Sequence, residues 1–178
     1  MNGKRPVTII QATVADAAEI LRLQRLAYQS EARIYNDDHV PPLTQSAAEI
    51  EAEFADHVFL KAMTDDRIVV GSVRACERGG TGFIGRLIVH PDHQGRGIGA
   101  APMREIESRF PHVQRFELFT GHKSERNIRF YQRLGYRTFR EERATDVLRF
   151  VFMQKNNSPT RRIVARIAEE AGRRYLIL

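Results

Sequence analysis

The sequence predicts an α/β (α+β) domain: a mixed, mostly antiparallel sheet of about seven strands with a central parallel pair, flanked by about four helices and followed by a C-terminal helix. Three observations predict it. Residues 58–63, 68–76 and 84–90 are strand-like runs joined by the turns Thr64-Asp65-Asp66-Arg67 and Arg78-Gly79-Gly80-Thr81-Gly82, which makes an antiparallel meander. Residues 84–120 then read strand, glycine-rich loop, helix, strand, and a crossover of that length joins parallel neighbours. Residues 136–143 and 147–154 close the sheet as a hairpin.

The elements follow in order. Residues 7–12 alternate apolar and polar side chains, as a first strand does. Thr13 or Asp16 can cap the helix behind it, whose apolar positions Val14, Ala17, Ala18, Leu21, Leu23, Ala27 and Tyr28 keep a helical period to about Tyr28. Residues 31–43, with Asn36-Asp37-Asp38 and Pro41-Pro42, read as a loop long enough to belong to a binding site. Ser46 opens a second helix over 47–56, with Ile50 and Phe54 on one face and Glu49, Glu51 and Glu53 in solvent. Beyond the glycine loop, residues 98–110 form a helix with Met103, Ile106 and Phe110 inward, and Pro102 is tolerated in its first turn. Residues 115–120 are a strand. Ser124 or Lys123 opens a helix to about Leu134, with Ile128, Phe130, Tyr131 and Leu134 inward and Gly135 as its stop. Ser158-Pro159 restarts the chain as a helix with the apolar stripe Ile163, Val164, Ile167, Ala168 and Ala171.

Composition bounds the function. A chain of 178 residues, 42% hydrophobic and 28% charged, fits one main globular domain, 1–155, with an extension, 156–178. No apolar run approaches the ~20 residues of a membrane span, and residues 1–11 lack the apolar segment and cleavage site of a signal peptide, so a cytoplasmic protein with no membrane partner is expected. Cys76, the only cysteine, excludes an internal disulfide and is expected in the core. From Lys155 onward six basic residues face two acidic ones, so the tail carries +4 of the net +6 and the body is nearly balanced. That argues against whole-domain nucleic-acid binding and leaves the tail as a packing or homodimerisation helix, or a basic arm for an anionic partner.

The stretch Ile84-Gly85-Arg86-Leu87-Ile88-Val89-His90-Pro91-Asp92-His93-Gln94-Gly95-Arg96-Gly97-Ile98-Gly99-Ala100 is an apolar strand, a turn, a glycine-rich loop and a helix start. Such a loop exposes several N–H groups, and the helix behind it adds the positive end of its dipole, which suits a phosphate or pyrophosphate. A P-loop would need a Gly-Lys-Ser/Thr ending, which is absent. Gly95-x-Gly97-x-x-Ala100, with Glu117 downstream, meets the dinucleotide fingerprint only formally. Residues 91–94 separate strand from glycine, a meander precedes, and too little chain follows for further βαβ units.

Together with Ser124-x-x-Asn127-x-x-x-Tyr131-x-x-x-Gly135-Tyr136, this stretch resembles the GNAT superfamily of N-acetyltransferases, whose pyrophosphate loop is Gln/Arg-x-x-Gly-x-Gly/Ala. The likeness covers roughly residues 7–155 and is best over 84–136. The resemblance implies that the parallel strands splay and that acetyl-CoA is the co-substrate held between them. It places the backbone of Leu87, Ile88 and Val89 along the pantetheine arm, with pairing at Leu87 and Val89, and wraps Gln94, Gly95, Arg96, Gly97, Ile98, Gly99 and Ala100 around the pyrophosphate. The family's asparagine seven residues before the tyrosine is Ser124 here. Ser124 caps the helix or meets the cofactor, and Asn127 is expected to hydrogen-bond pantetheine. The acceptor pocket falls on residues 28–56, where Glu31, Asp37 and Asp38 could attract an amine.

Acetyl transfer needs a neutral amine, and a free alkyl amine resembles lysine with a pKa of ~10.4. It also needs release of a thiolate, whose pKa by analogy with cysteine is ~8.5. Tyr131 is the candidate acid, as the tyrosine that the family directs toward the CoA sulfur; the competing reading packs it in the core. Glu117 is the first candidate base, at a position resembling a catalytic glutamate of some members though at an unusual spacing from Tyr131, with a structural carboxylate as the competing reading. His90 comes second and Glu31 third. His90-x-x-His93 lacks the ligand cluster of a metal site, so no metal is expected. The expected function is acetyl-CoA-dependent N-acetylation of a primary amine, most simply on a small molecule. The alternatives are a CoA-binding regulatory module and a protein N-acetyltransferase.

Overall fold

Seven strands form one sheet in the order β1-β2-β3-β4-β5-β7-β6 in the computed structural model, which describes residues 7–158. The strands are β1 (Thr8–Gln11), β2 (Val58–Met63), β3 (Val69–Arg78), β4 (Thr81–Val89), β5 (Arg115–Gly121), β6 (Arg137–Arg143) and β7 (Arg149–Asn156). Every neighbouring pair is antiparallel except β4 and β5. The helices are α1 (Ala17–Tyr35), α2 (Pro41–Thr44), α3 (Ala47–Glu53), α4 (Ala100–Ser108) and α5 (Glu125–Arg133). This is the mixed, mostly antiparallel sheet with one parallel pair that the sequence predicts.

The parallel pairing is short, and its shortness makes the site. β4 meets β5 only at Thr81↔Arg115, Gly82↔Phe116 and Phe83↔Glu117. Beyond those positions β4 stays paired with β3 and β5 with β7, so the two strands diverge. The divergence has a local cause. Between Ser72↔Ile88 and Arg74↔Gly85 the register shifts, so β4 takes one more residue than β3, and Arg86 adopts a left-handed φ of 50°. A bulge of this kind bends its strand and raises the local twist. From Ile84 on, one edge of β4 therefore has no strand partner.

Each face of the sheet buries its own apolar set. On one face α4 contributes Met103 and Ile106 to a core with Leu60, Phe116, Leu118 and Met153. On the other, α1 and α3 bring Ile20, Leu23 and Ile50 onto Phe59, Val69 and Ile88. Cys76 is a free, buried cysteine, as expected.

Two expectations need correction. The loop predicted over 31–43 is largely helical: α1 continues to Tyr35, and Pro41–Thr44 is a short helix. Ala32 and Tyr35, both buried, continue the stripe that passes through Tyr28, and the Tyr35 hydroxyl accepts from the Lys123 N–H at 2.7 Å. A Cβ on Gly121 would lie 2.7 Å from Tyr35 Cζ, so that glycine admits the ring. Glu53, expected in solvent, instead pairs at 2.5 Å with the buried Arg74 of β3 and accepts from Gln45 at 2.9 Å, tying α3 to the sheet. Glu49 is engaged too, in a capping box with Ser46.

The predicted C-terminal helix lies outside the described residues, and with it the proposed dimerisation surface. β7 runs to Asn156, and Asn157 donates to the carbonyls of Pro111 and Val113, both at 3.0 Å. Among the described residues no helix is long and apolar enough to cross a membrane.

Candidate active site

The cleft between β4 and β5 is bordered by the glycine loop, by α5 and by the crossing helix α1. The loop begins as β4 ends: residues Pro91–His93 make a 3-10 turn, capped by His90 Nδ1, which accepts from the Asp92 N–H at 3.2 Å. Gly95 and Gly97 then take φ of 76° and 78°, a region that a side chain disfavours, and α4 starts at Ala100 with Gly99 as its cap. Ile98 buries its side chain against Ala62 and Val70, leaving its backbone to the loop. At Gly99 a Cβ would meet Phe130 of α5 at 3.3 Å, so its smallness serves the packing of α5 on the loop. Gln94 and Arg96 differ in placement. Gln94 Nε2 donates to the Val89 carbonyl at 3.0 Å and its Oε1 accepts from Arg126 at 3.0 Å, whereas Arg96 is exposed. Gln94 thus fastens the loop to β4 and brings an α5 guanidinium to it.

Tyr131 sits on the inner side of α5, edge-on to Phe130 and Tyr136 at centroid distances of 5.3 and 6.1 Å. Burial pushes its phenol above the usual tyrosine value, and neighbouring Tyr28 and Glu31 push it the same way. It therefore stays a protonated donor at neutral pH.

Glu31, the third of the candidate bases, is the carboxylate whose charge acts on the Tyr131 phenol. Its Oε2 accepts a short hydrogen bond from the Ser124 hydroxyl, and its Oε1 accepts from Asn127 Nδ2 at 3.3 Å. Ser124 makes no side-chain capping bond to α5; it and Asn127 turn toward Glu31. The carboxylate also lies at the start of α5, where the helix dipole favours negative charge.

Glu117 and His90 are placed elsewhere. Glu117 occupies the last position of the parallel pairing, at the apex of the divergence, and its Oε1 accepts from Arg115 Nε at 2.6 Å. His90 belongs to the turn after β4, with the His93 ring 5.7 Å away. Among the described residues no group of three or more His, Cys, Asp or Glu could hold a metal ion. Leu87 and Val89 are half-buried and Ile88 buried, all on the strand that borders the cleft.

Three residues at the site carry no mark that sequence reading used. Tyr28 reads as one more apolar position of α1, Arg126 as one of several charges on α5, and Arg86 is the polar interruption of an apolar strand. The last was the available signal. The Arg86 guanidinium lies 5.7 Å from the Tyr28 ring, which places it on the α1 side of β4.

The profile of the acetyltransferase (GNAT) family matches residues 19–136. No curated protein matches the sequence significantly. Among solved structures, the PaiA N-acetyltransferase from Thermoplasma acidophilum in complex with coenzyme A superposes with a TM-score of 0.73 at 17% identity, over 85% of this chain and 99% of that one. A phosphinothricin acetyltransferase from Sinorhizobium meliloti in complex with acetyl-CoA gives 0.69 at 20% identity, over 85% and 89%. The ribosomal-protein-S18-alanine N-acetyltransferase from Escherichia coli gives 0.68 at 16% identity, over 86% and 95%.

Proposed function

Because the chain belongs to the acetyltransferase (GNAT) family, we propose that it transfers the acetyl group of acetyl-CoA to the primary amine of an acceptor directly, with both substrates bound together. The observation that carries this reading is the divergence of β4 from β5, with the left-handed glycines at its mouth and Tyr131 on the helix that follows β5. The two coenzyme-bound structures of the same fold support the donor. The loop fits it as well: a Cβ on Gly95 would meet nothing within 4 Å, so the outer side of the turn is open to a pyrophosphate.

When bound, acetyl-CoA supplies a thioester: the amine nitrogen bonds to the acyl carbon, the carbon–sulfur bond breaks, and a proton leaves the nitrogen. The residues divide the work. The loop from Gln94 to Ala100 holds the pyrophosphate through the backbone N–H groups of Gly95 to Gly99, since those of Gln94 and Ala100 donate to the Pro91 and Gly97 carbonyls, with Arg126 and Arg96 adding charge at the surface. The unpaired edge of β4, at Leu87 to Val89, holds the extended arm as a sheet edge holds a strand. Ser124 and Asn127 act one step back, by fixing Glu31. Glu31 attracts the acceptor's ammonium and takes one proton to free the attacking amine; the second proton, lost from nitrogen as the amide forms, ends on the departing sulfur as the free thiol. Tyr131 donates a hydrogen bond to the departing sulfur; its raised pKa makes it a persistent donor rather than a group that gives its proton up to a thiolate of pKa ~8.5. Glu117, held by Arg115 at the apex, remains the competing base.

A small-molecule acceptor is the reading we carry forward. The names of the structural neighbours span phosphinothricin and a ribosomal-protein alanine, so the choice between acceptor classes rests on the assay below. A buried lone thiol suits work in the reducing cytoplasm. The test is thiol release from acetyl-CoA across a panel of amino acids, polyamines, aminoglycosides and peptides. Turnover with one class and mass gain of one acetyl group on that amine supports the proposal. Binding of acetyl-CoA with no turnover on any class points instead to a regulatory module.

A further inference from the structure

The bulge that opens the cleft also sets an arginine in an unusual state. Arg86 holds a left-handed backbone within a strand, a conformation that persists in a non-glycine residue only where its surroundings fix it. Its Nε–H is buried and meets no acceptor among the described residues. Buried donors left in that condition are uncommon and costly. Its neighbour Arg74 has a carboxylate, Glu53, at 2.5 Å, whereas Arg86 forms no ion pair with any described carboxylate. The two guanidiniums feel each other: burial first, and then the charge of Arg86 against that of Arg74, lower the pKa of Arg74 to about 10, while Glu53 opposes the shift. Two cations thus lie near each other, and the one carboxylate beside them, Glu53, pairs with Arg74.

The position matters as much as the charge. Tyr28 stacks near the Arg86 guanidinium at 5.7 Å and also acts on the Tyr131 phenol, so one aromatic ring separates the arginine from the reacting centre. The pyrophosphate loop starts eight residues later, at Gln94, beyond the far end of β4.

We propose that Arg86 selects the acceptor: the amine that this enzyme acetylates also carries an anionic oxyacid group, a carboxylate or a phosphonate, which Arg86 binds at the β4 bulge beside Tyr28. The inference rests on the N-acetyltransferase reading and narrows its substrate class. A guanidinium matches such a group with paired N–H donors, and a charge-assisted contact of that kind is worth roughly 10- to 100-fold in affinity.

The experiment compares kcat/KM by thiol release for L-amino acids against their carboxamides, and for aminoalkylphosphonates against the matched amino alcohols, with wild type, Arg86→Gln and Arg86→Lys. The acid should exceed its neutral partner by at least about tenfold on one scaffold. The two scaffolds tell carboxylate from phosphonate. Arg86→Gln should bring that ratio to within about twofold of unity, and Arg86→Lys should keep part of it. Calorimetry with acetyl-CoA alone reports folding and donor binding, and should be the same in all three proteins. Neutral amines turned over as well as the acids by wild type would overturn the proposal, as would a ratio preserved in Arg86→Gln. Absence of acetyl-CoA binding in wild type would instead sink the parent reading, and this inference with it.

Discussion

Glu31→Gln separates the two carboxylates that compete for the base. The substitution keeps the side chain's length, removes its charge and exchanges one acceptor oxygen for an NH2 donor. The Ser124 hydroxyl can rotate to accept from that amide, and Asn127 can still donate to the remaining oxygen, so both contacts survive as neutral ones. A bond to a charged group contributes ~1.5–3 kcal/mol and a neutral one ~0.5–1.5 kcal/mol, so two fully buried conversions would cost about 2–3 kcal/mol. Partial exposure and the 3.3 Å length of the Asn127 contact reduce this to about 1 kcal/mol, or roughly 2–4 °C in Tm for a chain of this size. The rate effect should be far larger. An alkyl amine of pKa ~10.4 is neutral in roughly one molecule in a few thousand at pH 7, and loss of a general base costs ~100- to 10,000-fold. The assay is thiol release from pH 6.5 to 9.5 with a fixed amine. Wild type should flatten at high pH, whereas Glu31→Gln should climb about tenfold per pH unit, since only amine that is already neutral then reacts. Glu117→Gln should lose less than about tenfold. A large loss with altered pH dependence in Glu117→Gln, beside a Glu31→Gln enzyme within about threefold of wild type, would refute the assignment.

Further outcomes follow from the same geometry. Tyr131→Phe should lower kcat about 100-fold with little change in acetyl-CoA affinity, and the wild-type profile should show no downturn near pH 10, because burial holds the phenol protonated there. Gly97→Ala forces a side chain into φ 78°, at a cost of ~1–2 kcal/mol, and should weaken acetyl-CoA binding while leaving the far-ultraviolet circular dichroism unchanged. Burial and Glu107 raise the Tyr136 phenol, which donates to Glu107 at 2.9 Å, and Tyr131 is raised as well. A raised folded-state pKa gives stability that is complete below the unfolded value of ~10 and lost as pH rises above it. Urea denaturation at pH 9 and 11 should therefore show a marked fall in stability, smaller in Tyr136→Phe.

How much of this was legible in the sequence depended on the range of the cause. The meander, the crossover and the loop are announced by neighbours in the chain: Gly79 and Gly80 at a hairpin, Gly95 and Gly97 before a helix. The last turns of α1 were hidden because Ser30 and Glu31 interrupt the apolar stripe that Ala32 and Tyr35 resume. Glu53 looked solvated since its partner Arg74 is 21 residues away on another element. The extent of the parallel pairing depends on a bulge at Arg86, which no glycine marks at that position. At the candidate site, a motif singles out Tyr131 and the loop in the sequence, yet the hydrogen bonds that turn Ser124 and Asn127 toward Glu31 span 93 and 96 residues and exist only once α1 crosses α5. Resemblance to a catalytic glutamate of some family members favoured Glu117 despite its unusual spacing from Tyr131, and only the fold shows it at the apex of the divergence, accepting from Arg115.

Isothermal titration of the protein with acetyl-CoA tests the central claim most directly. Saturable one-to-one binding to wild type, clearly weakened in Gly97→Ala, is the predicted result. A wild-type protein that takes up no acetyl-CoA, or a Gly97→Ala protein that binds it as tightly as wild type, would contradict the cleft and its glycine loop as the donor site.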